Sequence, residues 1–381
     1  MSGVRENGER QDGQRVGKVQ DPGREHAGRV GSVPEDGGRE NSARVSSVRE
    51  SREREDGGRA MNSATSSSGG SVHRREGLRR WIVYQRERFP LAGHAPLVAA
   101  FSGSAVCLSS MLRGRIAMPP ISSLVVAFVT SLLFFLQLRI ADEFKDFDED
   151  SRYRPYRPVP RGLVTLAELR NVGIAAACVQ LALAVWLEPT LVVMLVATWA
   201  YLALMSVEFF VPRWLRAHPI AYMLSHMAIM PLIDLYATAC DWRVAGLSSP
   251  PAGLVWFLIV SFFNGIVVEI GRKIRPADAE EEGVETYSVL WGRPRAVATW
   301  IGAIVVTALC AFQVARHIAV AAPVGALLAL LVTICAGVGA RFLSAPSRRG
   351  GKLIELASGI WTLLMYLSLG AVPLAVAVWR T

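Results

Sequence analysis

The chain has 381 residues, 51% of them hydrophobic, with a formal net charge of +9. From Pro96 onward, apolar runs of about 20 residues, the length a helix needs to cross a bilayer, follow one another. A soluble domain has no room to bury several helices apolar on every side. Composition therefore excludes an ordinary soluble enzyme, and the positive charge, lying mostly in short loops between runs, reads as membrane topology rather than as a nucleic-acid footprint.

Residues 1–75 predict a disordered, low-complexity extension. Residues 1–60 hold 12 Arg or Lys and 12 Asp or Glu, with too little apolar surface to build a core. A weak repeat (Arg15-Val-Gly, Arg29-Val-Gly, Arg44-Val-Ser) is too short and too polar for a stacked solenoid. Met61 is a second candidate start. Residues 76–381 form the membrane domain. It opens with Arg74–Arg88, where Trp81, Ile82, Tyr84 and the following Phe89 stand among arginines. That pattern predicts an amphipathic helix on the membrane lipid surface.

Nine spans follow, at about 95–112, 119–141, 163–186, 190–211, 219–239, 252–271, 294–315, 319–340 and 354–378. Pro119-Pro120, Pro189, Pro212, Pro219 and Pro250-Pro251 punctuate them. The expected architecture is all-α: a polytopic membrane helical bundle of about nine transmembrane helices. The loops after spans two, four, six and eight carry seventeen Lys and Arg, against five on the other side (Arg113, Arg115, Arg243, Arg316 and Arg380). That bias places the charged loops in the cytoplasm, in the cytoplasmic membrane for a bacterial chain. The five cysteines lie in or beside apolar runs without a CxxC pair, so neither a zinc site nor a disulfide framework is expected.

Two acidic clusters fall on this cytoplasmic side. The first is Asp142-Glu143-Phe-Lys-Asp146-Phe-Asp-Glu-Asp150, continuing span two without a Pro or Gly break. Asp142, Asp146 and Asp150 are four apart, so on a helix their carboxylates share one face. Stacked like charges repel, and a hard cation such as Mg²⁺, which takes carboxylate, water and phosphate oxygens, relieves that repulsion. Arg154, Arg157 and Arg161 follow at once, and guanidinium forks suit phosphate. Metal-binding carboxylates beside phosphate-binding arginines are the equipment of a diphosphate site. The second cluster holds Glu269, then Arg272, Lys273 and Arg275, then Asp278 and Glu282 four apart. Its basic trio either pairs with Glu269 or holds phosphate. Within span five, His226 and Asp234 are eight apart and thus on one helical face; ionisable residues inside a span are functional candidates.

The segment Asp142–Gly162 resembles the first aspartate-rich motif of the UbiA superfamily of intramembrane prenyltransferases, N-D-x-x-D-x-x-x-D followed by R-P-x-P-x-G. Asp142 stands at the Asn position and Glu143 at the first Asp; Asp146 and Asp150 match; Arg157-Pro158-Val159-Pro160-Arg161-Gly162 matches the trailing signature. Arg88-Phe89-Pro90 resembles the family's Arg-Pro before the first span, and Gly283 to Gly292 its G-x-x-T-x-x-x-x-x-G segment. The second motif departs from the usual D-x-x-G-D. The resemblance implies a UbiA-like fold over about 80–380 and Mg²⁺ ions bridging both clusters and a prenyl diphosphate. Asp142, Glu143, Asp146, Asp150, Asp278 and Glu282 are then the expected metal ligands. Arg154, Arg157, Arg161, Arg272, Lys273 and Arg275 are expected on the diphosphate, and Asp146, Asp150, Glu269, Asp234 and His226 in catalysis. The expected activity is prenyl transfer to a lipophilic, aromatic or other acceptor. A terpene cyclase on the same scaffold is the alternative. A cation transporter is remote, because the acids cluster at one face rather than at the midplane.

Overall fold

The computed structural model describes residues 68–281 and 285–380. The extension expected over 1–75 lies outside them as far as residue 67, and so does Glu282. The described residues form helices and connecting turns, without strands. In order they are α1 (Ser68–Arg88), α2 (Leu91–Leu112), α3 (Ile121–Lys145), α4 (Phe147–Tyr153), α5 (Leu166–Leu187), α6 (Leu191–Ser206), α7 (Pro212–Ala217), α8 (Pro219–Met227), α9 (Ile229–Trp242), α10 (Leu254–Arg272), α11 (Tyr287–Trp291), α12 (Arg293–His317), α13 (Ala321–Ser344), α14 (Arg348–Leu369) and α15 (Ala371–Arg380). Single 3₁₀ turns occupy Glu208–Phe210 and Ala277–Ala279.

Among the described residues eight helices, counting α8 with α9 and α14 with α15, are long and apolar enough to cross a membrane. The remaining expected span is α6, whose 16 residues rise only about 24 Å. Ile121, Trp186, Val193 and Leu309 stand exposed on the outside of the bundle, the distribution a lipid solvent permits and water does not. Inside, Phe134, Tyr236, Phe257, Trp300, Trp361 and Tyr366 are fully buried. Around them α10 packs against α9, α12 and α14, and α2 packs against α3, α9 and α14.

Two spans are broken for one reason. Pro231 and Pro373 each stand at the third position of a second half-helix. A proline ring clashes with the carbonyl four residues back and offers no N–H to it, so the ladder is interrupted at Ala228 and at Gly370. Gly370 also lets α14 approach α2, since a Cβ there would lie 2.1 Å from the Ser104 carbonyl oxygen.

Span four differs from expectation more sharply. Its helix stops at Ser206, and Glu208, Phe209 and Phe210 all adopt left-handed backbone, with φ of 48°, 53° and 62°. Such conformations cost non-glycine residues about 1–3 kcal/mol each and persist only where surroundings enforce them. Here Phe209 packs edge-on to Tyr201 and His226, and Glu208 is buried.

Helix α1 is docked on one side. Tyr84 is buried against Ile140, Val159, Val164 and Leu169, with Trp81 beside them. An ion pair from Arg80 to Glu168 of α5 ties the same side down. Leu78 and Ile82 remain exposed. The expected surface helix is therefore also a packed element of the domain.

Candidate active site

The acidic run lies where α3 ends. Backbone bonds run from Asp146 N–H to the Asp142 carbonyl (2.9 Å), from Asp150 to Asp146 (2.7 Å) and from Arg154 to Asp150 (2.9 Å). The four-residue step survives the turn at Asp146, but the three aspartates meet different surroundings. Asp142 is exposed, Asp146 partly buried and Asp150 buried. Asp150 is enclosed by guanidinium groups: Arg157 at 2.5 Å, Arg154 at 3.0 Å and Arg88 at 3.8 Å. Glu143 is likewise buried. It accepts from Arg88 Nε at 2.5 Å and from Arg139 at 3.2 Å.

The Asp146 carboxylate makes no hydrogen bond or ion pair among the described residues, and that of Asp142 has only Arg139, at 3.7 Å. Burial, with Asp150 nearby, holds the Asp146 carboxyl above the usual range against the pull of Lys145. The structure thus divides the expected ligand set. Asp142 and Asp146 keep oxygens available; Glu143 and Asp150 are spent on arginines.

The loop after α4 is shaped for that enclosure. Arg161 N–H bonds the Arg157 carbonyl, and Gly162 N–H the Val159 carbonyl. Gly162 closes the turn at φ +76°, a conformation a side chain resists. Arg161 pairs outward with Glu87 of α1.

Lys145 anchors the other flank of the α3 end. Its ammonium donates to the Tyr222 hydroxyl and lies 3.0 Å from Glu208 Oε1 and 3.3 Å from His226 Nε2. An ammonium has three protons, and three acceptors take them. His226 Nδ1 lies 2.8 Å from the Tyr222 carbonyl oxygen. A carbonyl only accepts, so Nδ1 carries the proton and Nε2 presents its lone pair to Lys145, a tautomer assigned from its partners. The left-handed turn delivers Glu208 to this contact, leaving its Oε2 buried and unpartnered.

The second cluster sits at the end of α10. Glu269 accepts from Arg272 at 2.7 Å and from Lys273 at 3.1 Å. Arg272 lies within electrostatic range of both Glu269 and Asp142. Beyond α10 the expected set disperses. Arg275 pairs with Glu281 at 3.4 Å, and Asp278, on a 3₁₀ turn rather than a helix, pairs with Arg348 at 3.0 Å. His226 and Asp234 do not meet, because the break at Ala228 divides their helix. Asp234, fully buried, instead accepts from the Tyr366 hydroxyl at 2.7 Å.

Arg139, Lys145 and Tyr222 were not among the expected site residues, and Glu208, expected in a structural role near the cytoplasmic interface, pairs with Lys145. Arg139 was within reach of sequence reasoning, standing three and four residues before Asp142 and Glu143, where helical neighbours pair. The contacts of Lys145 and of Arg88 span 55 to 81 residues and leave no local signal.

Residues 102–352 match the model of the UbiA prenyltransferase family. The chain belongs to the UbiA prenyltransferase family. Its fold is similar to a solved structure of digeranylgeranylglyceryl phosphate synthase, at 13% identity, a TM-score of 0.53, and coverage of 79% of this chain and 99% of that one. It is also similar to the apo structure of a UbiA homologue from Aeropyrum pernix K1, at 14% identity and a TM-score of 0.55, covering 72% of this chain and 98% of that one. No curated protein matches. Likeness at such identities concerns the fold. Family and apolar helices together make this UbiA member an integral membrane protein and, in general terms, a prenyltransferase.

Among the described residues no three carboxylate, imidazole or thiol groups gather into a closed metal cage. Mg²⁺ keeps several waters and is held through one or two carboxylates plus substrate phosphates. Asp142 and Asp146 are hard oxygen donors on successive turns, and among the described residues Arg139, at 3.7 Å from Asp142, is the one ion-pair partner of the two.

Proposed function

We propose that this UbiA member moves a prenyl group from a prenyl diphosphate to a lipophilic acceptor, with Mg²⁺ held by Asp142 and Asp146, in a site opening to the cytoplasm. The observation that carries the reading is the contrast within one motif: Glu143 and Asp150 are locked by arginines, while among the described residues the Asp146 carboxylate has no partner and Asp142 has only Arg139, at 3.7 Å.

Bound Mg²⁺ supplies positive charge against the departing diphosphate. Arg272 and Lys273, steered by Glu269, present further cationic donors to phosphate oxygens; Arg272 keeps half of its side chain exposed for that contact. Arg154 and Arg157 act one step back, fixing Asp150 and with it the pitch of the motif helix. His226 keeps its Nε2 lone pair on Lys145 and so helps position the end of α3. Asp234 ties α9 to α14 through Tyr366. Asp278 and Arg275, engaged with Arg348 and Glu281, contribute to loop structure rather than to the metal.

The test is product analysis. Purified protein in vesicles is incubated with Mg²⁺ and C10 to C20 prenyl diphosphates, with and without hydroxyl-bearing and aromatic lipophilic acceptors. Prenylated acceptor appearing only with Mg²⁺ supports transfer. Cyclic hydrocarbons formed without acceptor point to the cyclase reading, and inertness toward every diphosphate removes both.

A further inference from the structure

Far from the motif helix along the chain, α13 and α14 are joined by a short turn at the same end of the bundle as the α10–α11 loop; Gly351 lies against the Ile274 carbonyl and Pro276 there. Between the two helices is a cavity of about 90 Å³, lined by Val338, Arg341, Phe342, Ser347, Arg349 and Leu353, among others.

Three features set it apart. Among the described residues no acidic side chain lines it. Arg348, next in the chain, is engaged by Asp278, whereas neither Arg341 nor Arg349 makes a side-chain hydrogen bond or ion pair among the described residues. Its inner wall is apolar and closely fitted. Phe342 is buried, and a Cβ added at Gly350 would come within 3.0 Å of the Phe342 ring. On the outside, Leu343 and Leu353 are exposed on helices long and apolar enough to span the membrane.

Two exposed guanidinium groups without a protein partner, beside an apolar wall, match a ligand with an anionic phosphate head and a hydrocarbon tail. Unpaired arginine recognises phosphate oxygens through its planar fork, and basic pockets between membrane helices hold anionic lipid head groups. About 90 Å³ is roughly the room of three waters, enough for one phosphate group. We propose that this pocket binds the phosphodiester of an anionic phospholipid, with Arg341 and Arg349 on the phosphate and an acyl chain along Phe342 and Leu353. The site is independent of the prenyl diphosphate reading: its ligand is a component of the bilayer and is not consumed.

Native mass spectrometry of the full chain tests this, using micelles doped with phosphatidylglycerol, phosphatidylcholine, inorganic phosphate or geranylgeranyl diphosphate. The expected result is one phosphatidylglycerol retained per chain, with occupancy at least tenfold lower in Arg341→Gln/Arg349→Gln. Phosphatidylcholine and inorganic phosphate should not be retained, and geranylgeranyl diphosphate should leave the bound phospholipid in place. If the double variant fails to fold, by its thermal midpoint in phosphatidylcholine micelles, the two single variants replace it. Unchanged phosphatidylglycerol occupancy in the variants, equal retention of phosphatidylcholine by the native chain, or displacement by geranylgeranyl diphosphate overturns the proposal.

Discussion

Arg88, the last residue of α1, donates to Glu143 of α3 with its Nε 2.5 Å from Oε1, and both groups are withdrawn from solvent. A second nitrogen of the same guanidinium lies 3.8 Å from Asp150. One arginine from outside the bundle thus secures two of the motif's carboxylates, and the motif helix is held on its far side by Lys145, Glu208 and Tyr222.

Removing Arg88 leaves Glu143 with Arg139 alone. Losing one partner of a buried pair is destabilising, typically by about 3–5 kcal/mol. Arg88→Ala is expected to lower unfolding stability by about 3 kcal/mol, and Arg88→Ala/Glu143→Gln by less than the sum of its single changes. A double-mutant cycle from thermal or denaturant unfolding in one detergent measures the coupling. Additive effects would show that the pair does not hold the helix.

The aspartates of the motif should separate by phenotype. Asp146→Asn removes a free carboxylate and is expected to cost about 10²–10³-fold in turnover, the scale seen when one transition-state charge partner is lost, with the melting point unchanged. Asp150→Asn strips the shared anion from Arg88, Arg154 and Arg157 and is expected to lower the melting point first. Thermal melts run beside turnover assays on both variants decide it.

Much of this was legible in the sequence. Nine apolar runs and their Pro breaks foretold the helices, because a bilayer leaves a spanning backbone few alternatives to an internally bonded helix. The four-residue step from Asp142 to Asp150 was also legible and is present in the backbone bonds. What the step could not reveal is which carboxylates are occupied, since Arg88 and the loop arginines reach them through tertiary packing. The left-handed turn at Glu208 was hidden for a similar reason. Nothing in Ser-Val-Glu-Phe-Phe-Val asks for positive φ; only the burial of Glu208 against Lys145 and of Phe209 against Tyr201 and His226 enforces it.

That turn carries its own prediction. Lys145→Met leaves Glu208 buried without its cation and is expected to destabilise the fold by about 3 kcal/mol. Lys145→Met/Glu208→Gln is expected to recover part of the loss. Trypsin cleavage at Arg213 or Arg216, just past the turn, reports it: faster in the single variant, near the native rate in the double. Equal cleavage in all three would mean that other contacts hold the turn.

Acid should weaken the metal site early. Burial raises the Asp146 carboxyl above the usual aspartate range, so the protonated form gains ground at a higher pH than for an exposed aspartate. A carboxylate ligand must be deprotonated to hold a metal. The Mg²⁺ concentration giving half-maximal turnover is therefore expected to climb as pH falls toward the raised value, and to level off above it. A Mg²⁺ requirement independent of pH would remove Asp146 from the ligand set.

We infer that Asp142 and Asp146, rather than the arginine-locked Glu143 and Asp150, hold the Mg²⁺ that assists loss of diphosphate. The most direct measurement is inorganic diphosphate released from a prenyl diphosphate by the purified chain, titrated with Mg²⁺, for the native protein, Asp142→Asn, Asp146→Asn and Glu143→Gln. Release is expected to depend on Mg²⁺, to shift to higher Mg²⁺ in Asp142→Asn and to fall by about 10²-fold or more in Asp146→Asn, while properly folded Glu143→Gln keeps the native Mg²⁺ requirement. Release without Mg²⁺, or a Mg²⁺ requirement that moves in Glu143→Gln and not in Asp146→Asn, would contradict it.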